Sequence, residues 1–166
     1  MKKIIKKSFY LLVVMAICLV LSSGNLTKAS AQSYQPKEFV SNSTEYLEDG
    51  NYVVTEIYEA VLPSRGVGAR MGEKTVTKYS ATNSVLWTYK LIGYFSFEDG
   101  ISSSCYNATY EVDIKGSSWS FSNGNAYYSG NTAFGQGLFT YKFLGITTQS
   151  TEIDIYLTCD TYGNIS

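Results

Sequence analysis

An alternation of apolar and polar residues, the two-residue period of a β-strand, runs through most of the chain after residue 50. Near the carboxyl end, Ile153, Ile155 and Leu157 alternate with polar or charged neighbours. In Val85–Phe97 one face collects large apolar side chains around a glycine: Trp87, Tyr89, Leu91, Gly93, Phe95 and Phe97. Its other face also carries apolar residues, which indicates a central strand covered by a second layer.

Turn signals separate these runs. They are the dipeptides Asp49-Gly50, Asp99-Gly100, Lys115-Gly116, Asn123-Gly124 and Gly130-Asn131. The predicted strands are Tyr52–Leu62, Lys74–Ala81, Val85–Phe97, Ser102–Ile114, Trp119–Tyr128, Thr132–Leu144 and Thr151–Cys159. About seven strands predict an all-β fold, an antiparallel sandwich or a partly closed barrel, and periodicity does not separate the two.

Residues 1–31 have the organisation of an export signal. Four lysines precede an apolar run from Leu11 to Leu21, and Ala29-Ser30-Ala31 provides small residues for cleavage. The apolar run is much shorter than the roughly 20 residues that a membrane span needs. We therefore expect a secreted, extracellular protein, with the cell surface as a second location and no membrane attachment after cleavage.

Three regions follow from this pattern. They are a signal peptide at 1–31, a flexible N-terminal leader at 32–46 and a single β-sandwich domain at 47–166. The leader is polar, contains Pro36 and lacks periodicity. The residues from Thr44 to Gly50 are compatible with a helical turn or with coil, and the glycine-rich stretch Pro63–Gly72 predicts a mobile loop.

Removal of residues 1–31 leaves eight basic against fourteen acidic residues, a net charge of −6. A negative domain repels phosphate backbones and anionic lipid, so nucleic acid and membrane surfaces are excluded as expected partners. An extracellular protein or a glycan remains as the expected partner.

Two cysteines, Cys105 and Cys159, follow the signal segment. Because thiols oxidise outside the cytoplasm, we expect a disulfide between them, worth about 4 kcal/mol in the chain-entropy model. Cys105 nevertheless falls on the polar face of its predicted strand, whereas Cys159 is in register with apolar neighbours. A β-bulge near Cys105 and a bridge across a sheet edge both reconcile the two positions.

Each candidate catalytic or metal site in the sequence lacks a residue that its chemistry requires. The chain contains no histidine, so an imidazole-dependent nucleophile cannot be assembled. The acid pairs Glu111/Asp113 and Glu152/Asp154 fit a solvated strand face better than a glycosidase. Gly66-Val67-Gly68 lacks the third glycine of a phosphate loop, and Asp160–Asn164 lacks the later glutamate of a calcium loop. We expect no cofactor and no metal.

Tyrosine is the most suggestive surface residue, with 15 in the chain. The candidate binding surface is formed by Tyr46, Tyr52, Tyr58, Tyr127 and Tyr128. Tyrosines on a β-scaffold stack on sugar rings or form protein-binding patches, although tyrosine is also simply a good strand former.

Several landmarks resemble a family of small exported proteins of Gram-positive bacteria to which no activity is assigned. They are Leu47–Tyr52, Lys74–Lys78, Val85-Leu86-Trp87, Phe97 with Asp99-Gly100 and Cys105, Trp119, Ser129–Ala133, Leu157–Asp160 and Gly163–Ser166. The resemblance covers nearly all of 47–166. It implies one all-β domain with a Cys105–Cys159 bridge, and it brings no catalytic residues.

These observations favour a secreted, non-catalytic interaction module, not an enzyme. A carbohydrate-binding module that uses exposed tyrosines is the alternative. A carboxylate glycosidase is a more distant one, because the sequence shows no insertion that would form a cleft apart from the loop Pro63–Gly72.

Overall fold

The computed structural model describes residues 36–64 and 66–166, so the predicted signal peptide lies outside the described residues. The strands in these ranges are β1 (Glu38–Tyr46), β2 (Tyr52–Val61), β3 (Gly68–Tyr79), β4 (Val85–Glu98), β5 (Ser102–Ile114), β6 (Trp119–Ser129), β7 (Thr132–Phe143) and β8 (Ile146–Thr158). The same ranges hold no helix that could cross a membrane.

The strands form two antiparallel sheets. One contains five strands in the order β1-β2-β3-β4-β5, and the other contains three in the order β6-β7-β8. Strand β7 packs across β4 and β5, while β8 lies against β3 and β4. Because no strand pairs from one sheet to the other, the described chain is a two-layer, sandwich-like fold and not a closed barrel.

The core lies between the sheets. On β4 the side chains of Trp87, Tyr89, Leu91 and Phe95 are fully buried, as the alternation predicts. The Trp87 ring stacks on Phe139 of β7 with 4.0 Å between centroids. A buried Tyr89 is tolerated because its hydroxyl lies 3.2 and 3.3 Å from main-chain carbonyl oxygens of the second sheet.

Gly93 marks the closest approach of the two sheets. A Cβ atom at this position would lie 2.7 Å from the Phe95 ring and 2.9 Å from the Cβ of Ala133 on β7. No side chain fits in that space without movement of both neighbours. The glycine in the centre of β4 is therefore a packing requirement, and not a turn signal.

Cys105 reaches the core through a β-bulge. Tyr94 pairs with Asn107, but the next residue, Phe95, pairs with Cys105, so Tyr106 is the extra residue on β5. The bulge moves Cys105 from the polar face to the buried face. Of the two explanations that the sequence left open, the structure contains the bulge.

The predicted disulfide is not found. Cys105 and Cys159 are both buried and both free, and their Sγ atoms lie 3.3 and 3.5 Å from the main-chain oxygens of Asn107 and Asp160. Burial raises the pKa of each thiol, and that of Cys159 reaches about 11 because the negative charge of Asp160 adds to burial. Both cysteines are satisfied as neutral, hydrogen-bonded thiols.

The predicted leader is corrected over most of its length. Residues 38–46 form β1, which pairs with β2, and no helical turn occupies Thr44–Gly50. Every residue of β1 is exposed because the strand lies at the edge of the wider sheet. A strand without a buried face shows no alternation, so its sequence resembles coil.

Two turn predictions also differ from the structure. Asn123-Gly124 lies within β6, where the register shifts between Ser122 and Asn125, so this dipeptide forms a bulge instead of a reversal. Strand β3 begins at Gly68, which shortens the predicted loop Pro63–Gly72. The reversals at Asp99-Gly100 and Gly130-Asn131 lie where the sequence predicts them.

Candidate functional site

The unequal width of the two sheets creates a cleft. Strand β8 lies over β3 and β4, so the inner face of β1 and β2 extends past the edge of the smaller sheet. The space between β8 and this uncovered face, which we call the inter-sheet cleft, has a volume of about 600 Å³. Its size is that of a small-molecule or peptide site.

The inter-sheet cleft has an apolar floor and an acidic rim. The floor is formed by Val53, Val76, Trp87, Ile153 and Ile155. The rim carboxylates are Glu45, Glu48 and Asp49 on one side and Glu152 and Asp154 on β8 on the other. A concave surface of this kind attracts cations and binds apolar groups.

Lys78 on β3 is the cation of the cleft. Its side chain is 1% exposed, and no hydrogen bond or ion pair to its ammonium group is found within residues 36–64 and 66–166. Its Nζ atom lies 5.0 Å above the ring of Trp119, a cation–π contact. Burial lowers the pKa of Lys78, and the charge of Asp49 partly opposes that shift. Nζ is not one of the enclosed, unpartnered polar atoms of the described chain, so it faces the cleft, and the partial loss of its hydration opposes folding.

Lys74, four residues earlier on the same strand face, does have a protein acceptor for its ammonium group. Its Nζ donates a hydrogen bond of 3.1 Å to the carbonyl oxygen of Tyr156 on β8. Trp87, in contrast to Lys74, has no acceptor for its polar group. Its buried Nε1–H makes no hydrogen bond in the described part of the chain. Lys78 and Trp87 both line the cleft, and neither donates to an acceptor of the described chain. The Lys78 ammonium group is open to the cleft, whereas the Trp87 Nε1–H is enclosed.

Asp49 organises the mouth of the cleft. Its carboxylate accepts hydrogen bonds of 3.0 and 2.7 Å from Asn51 and of 3.3 Å from Gln149 of β8, which links the two sides. Burial acts to raise the pKa of Asp49, but these hydrogen bonds and the charge of Lys78 outweigh it and lower the pKa. Asp49 is therefore ionised near neutral pH.

Two of the predicted tyrosines form part of a row beside the cleft. Tyr46, Tyr52 and Tyr79 are in register on β1, β2 and β3 and lie on the outer face of the wider sheet. The rings of Tyr52 and Tyr79 stack with 4.9 Å between centroids, and Tyr46 packs on Tyr52 at 5.7 Å. Tyr46 is 79% exposed. The sequence reasoning missed Tyr79, which only strand pairing brings to this row.

The other predicted tyrosines lie elsewhere. Tyr58 is on the same outer face as the row but packs on Phe39 near the opposite end of β2. Tyr127 and Tyr128 are on β6 of the smaller sheet, where Tyr127 stacks on Phe134. Adjacent residues of a strand point to opposite faces, so these two do not share a surface. The structure therefore does not unite the five predicted residues.

The hairpin between β7 and β8 carries an apolar tip near the cleft. Leu144 is 87% exposed and has φ of 51°, a left-handed conformation that is rare for a bulky residue. Phe143 and Ile146 beside it are also exposed. The tip therefore combines backbone strain with exposed apolar area.

In the C-terminal loop, the carboxylate of Asp160 stabilises the turn through hydrogen bonds. The Asp160 carboxylate accepts hydrogen bonds of 2.8 and 2.9 Å from the main-chain N–H groups of Tyr162 and Asn164. Desolvation opposes these bonds, but the bonds from Asn164 dominate and lower the pKa of Asp160. Within the described ranges, no group of three or more potential ligands is arranged to hold a metal ion.

Comparison with protein-family models, with curated proteins and with solved structures finds no match for this chain. The class of protein is therefore defined by fold and site alone, as a two-sheet β-protein with an acidic inter-sheet cleft. Lys78 could have been suspected from the sequence, because Lys74, Val76 and Lys78 share one strand face. The cleft itself could not be predicted from the sequence, because it depends on the relative width of the two sheets.

Proposed function

We propose that this chain is an exported, non-catalytic interaction module that binds its partner in the inter-sheet cleft. The observation that carries the proposal is the cleft itself, which combines an apolar floor, a rim of carboxylates and, at Lys78, an ammonium group that no hydrogen-bond acceptor of the described chain engages. A bound ligand supplies an acceptor for this ammonium group, so Lys78 contributes directly to binding.

The arrangement favours binding over catalysis. A glycosidase needs one carboxyl group that stays protonated and a second that is ionised. Carboxylates do lie on both sides of the cleft, but Asp49 has a lowered pKa and cannot act as the proton donor near neutral pH. Nucleophiles that depend on imidazole are excluded because the chain has no histidine.

The test is a parallel screen of the purified domain on peptide and glycan arrays, with wild type and Lys78→Met compared. Methionine keeps most of the volume of lysine and removes the charge. We expect a ligand that Lys78→Met loses and that the control Lys115→Met retains, since Lys115 is exposed and pairs with Asp113. Ligands bound equally by all three proteins, or turnover of any arrayed glycan, would refute the proposal.

A carbohydrate-binding role is the second candidate, and the tyrosine row favours it. Tyr46 offers an exposed ring at the end of a stacked series. The rings of Tyr52 and Tyr79 cover each other, however, and present edges and hydroxyl groups instead of flat faces. Loss of a glycan signal in Tyr46→Ala but not in Tyr127→Ala would support this role, and equal signals would exclude it.

We also propose that export oxidises Cys105 and Cys159 to the disulfide expected from the sequence. Their main-chain N–H groups donate to Gly130 and Asn131, adjacent residues of one turn, which places both cysteines beside that turn. Formation of the bond transfers two electrons, with loss of two protons, to a disulfide oxidant of the exterior. Intact-mass analysis of exported protein, with and without reduction, measures the difference of two hydrogen atoms, and an unchanged mass would exclude the bridge.

A further inference from the structure

We infer that the partner is an extended basic peptide that adds as a strand to the free edge of β8 inside the inter-sheet cleft. The inference rests on the proposed function and names the kind of ligand that the cleft takes. Strand addition of this type supplies main-chain hydrogen bonds for affinity and alternating side-chain contacts for specificity.

The free edge of β8 can be assigned to particular residues. Thr158 exchanges hydrogen bonds of 2.9 and 3.0 Å with Ser166, so the main-chain groups of Thr158 point away from β7. The register with β7 is regular from Gln149 to Thr158. Because the direction repeats every two residues, the main-chain groups of Asp154 and Glu152 also point away from β7. Strand β8 is an edge strand, so these groups have no strand partner.

Two side-chain contacts mark the ends of the open segment. At one end Lys74 Nζ donates a hydrogen bond of 3.1 Å to the carbonyl oxygen of Tyr156, so that oxygen is already paired. At the other end Gln149 Nε2 contacts Asp49 Oδ2 across the cleft mouth, at 3.3 Å. Between them, Glu152, Ile153 and Asp154 line the cleft. The unpaired edge therefore faces the cleft over the length of a short peptide strand.

The side chains beside this edge determine the pattern of the peptide. Ile153 of β8 is buried toward the floor, whereas Glu152 and Asp154 point outward and are exposed. A peptide residue opposite Asp154 points outward as well, and a cation there forms a cross-strand pair with the carboxylates. The intervening peptide residues point toward Val53 and Val76 on the floor. The preferred peptide therefore alternates basic and small apolar residues.

Charge excludes a second copy of β8 as the occupant. An identical strand would place Glu152 and Asp154 against the same carboxylates, and like charges directly opposite destabilise a strand pair. The rim adds Glu45, Glu48 and Asp49, so the cleft selects a cationic segment.

The test uses three heptapeptides of alternating lysine and valine, acetylated and amidated at the ends, with binding measured by fluorescence anisotropy. One is unmodified, one is N-methylated at every lysine and one at every valine. The peptide is taken to add antiparallel to β8, so the lysines opposite Asp154 bond to β8 through their N–H groups, whereas the valine N–H groups point away from β8. We expect at least a tenfold weaker Kd for the N-methyl-lysine peptide and less than a threefold change for the N-methyl-valine peptide.

A protein variant tests the same bond from the other side. Asp154→Pro removes the N–H group that points away from β7, while Asp154→Asn removes the charge and keeps that N–H. We expect Asp154→Pro to bind the unmodified peptide at least fivefold more weakly than Asp154→Asn does. The peptide comparison does not depend on the folding of either variant.

The outcomes separate this inference from the proposed function. Equal binding of the two N-methylated peptides would overturn strand addition, because only side chains would then be recognised. Array ligands that are lost in Lys78→Met, together with no binding of the lysine–valine peptide, would overturn strand addition and leave the proposed function standing. Absence of any array ligand sensitive to Lys78→Met would refute both.

Discussion

Replacement of Lys78 by methionine should stabilise the protein while it abolishes binding. Lys78 as a residue is 1% exposed, and its ammonium group has no hydrogen-bond acceptor in the described chain, so its partial desolvation opposes folding. Replacement of buried charges by apolar residues of similar volume stabilises proteins by about 1 to 4 kcal/mol. Against this, methionine loses the cation–π contact with Trp119, worth about 0.5 to 2 kcal/mol.

The net expectation is a gain of about 1 to 2 kcal/mol in the free energy of unfolding. For a domain of this size, that gain raises Tm by about 3 to 8 °C. Lys115→Met is the matched control, because Lys115 is exposed and forms a surface ion pair with Asp113 at 2.9 Å. The free energy of unfolding of Lys115→Met should differ from that of wild type by no more than about 0.5 kcal/mol. Urea denaturation followed by tryptophan fluorescence measures both variants.

The pH dependence provides a second readout. Burial lowers the pKa of Lys78 in the folded state below the ordinary value of 10.5, so the unfolded chain binds the proton more strongly. The destabilisation of folded wild-type protein by the charged Lys78 is therefore fully present at neutral pH, and it decreases as the pH rises toward 10.5. The stability difference between Lys78→Met and wild type should shrink as the pH rises from 7 toward 10.5. A destabilised Lys78→Met variant, or a difference that grows with pH, would refute this reasoning.

Three further predictions concern packing, strain and thiol chemistry. Gly93→Ala should lower the free energy of unfolding by about 2 kcal/mol in urea denaturation, because its Cβ would meet the Phe95 ring at 2.7 Å; an unchanged midpoint would contradict the close sheet contact. Leu144→Asn should raise stability by about 1 kcal/mol in the same assay, because asparagine tolerates the left-handed backbone at φ of 51°, and a loss of stability would argue against strain at the hairpin tip. In the reduced protein Cys159, with its pKa raised to about 11 by burial, should react with a disulfide reagent at pH 8 far more slowly than in the unfolded chain; equal rates would show that the thiol is accessible.

Local pattern was sufficient for the buried face of β4 and for the bounds of β5. The apolar face of β4 and the bounds of Ser102–Ile114 follow from alternation and from turn residues. Strand β1 could not be predicted in this way, because an exposed edge strand buries neither face. The bulge at Tyr106 was anticipated as one of two alternatives, and strand pairing decided between them.

The candidate site was less accessible to sequence reasoning than the fold. Tyrosine content drew attention to Tyr46 and Tyr52, which do lie together, and also to Tyr127 and Tyr128, which belong to the other sheet. The sequence pattern does not indicate a site at Lys78, because a lysine in an alternating strand is usually on the solvated face. Its burial depends on Trp119, a residue far along the chain that packs over it.

By itself, the amino-acid sequence determined that this chain forms antiparallel strands, where most of the reversals fall and which face of β4 is buried. Those properties depend on neighbouring residues and on the two-residue period of a strand. Tertiary structure alone decided that five strands pack against three and leave an acidic cleft beside the edge of β8. Sheet width, edge exposure and the burial of Lys78 depend on which distant strands meet, and no local pattern encodes that choice.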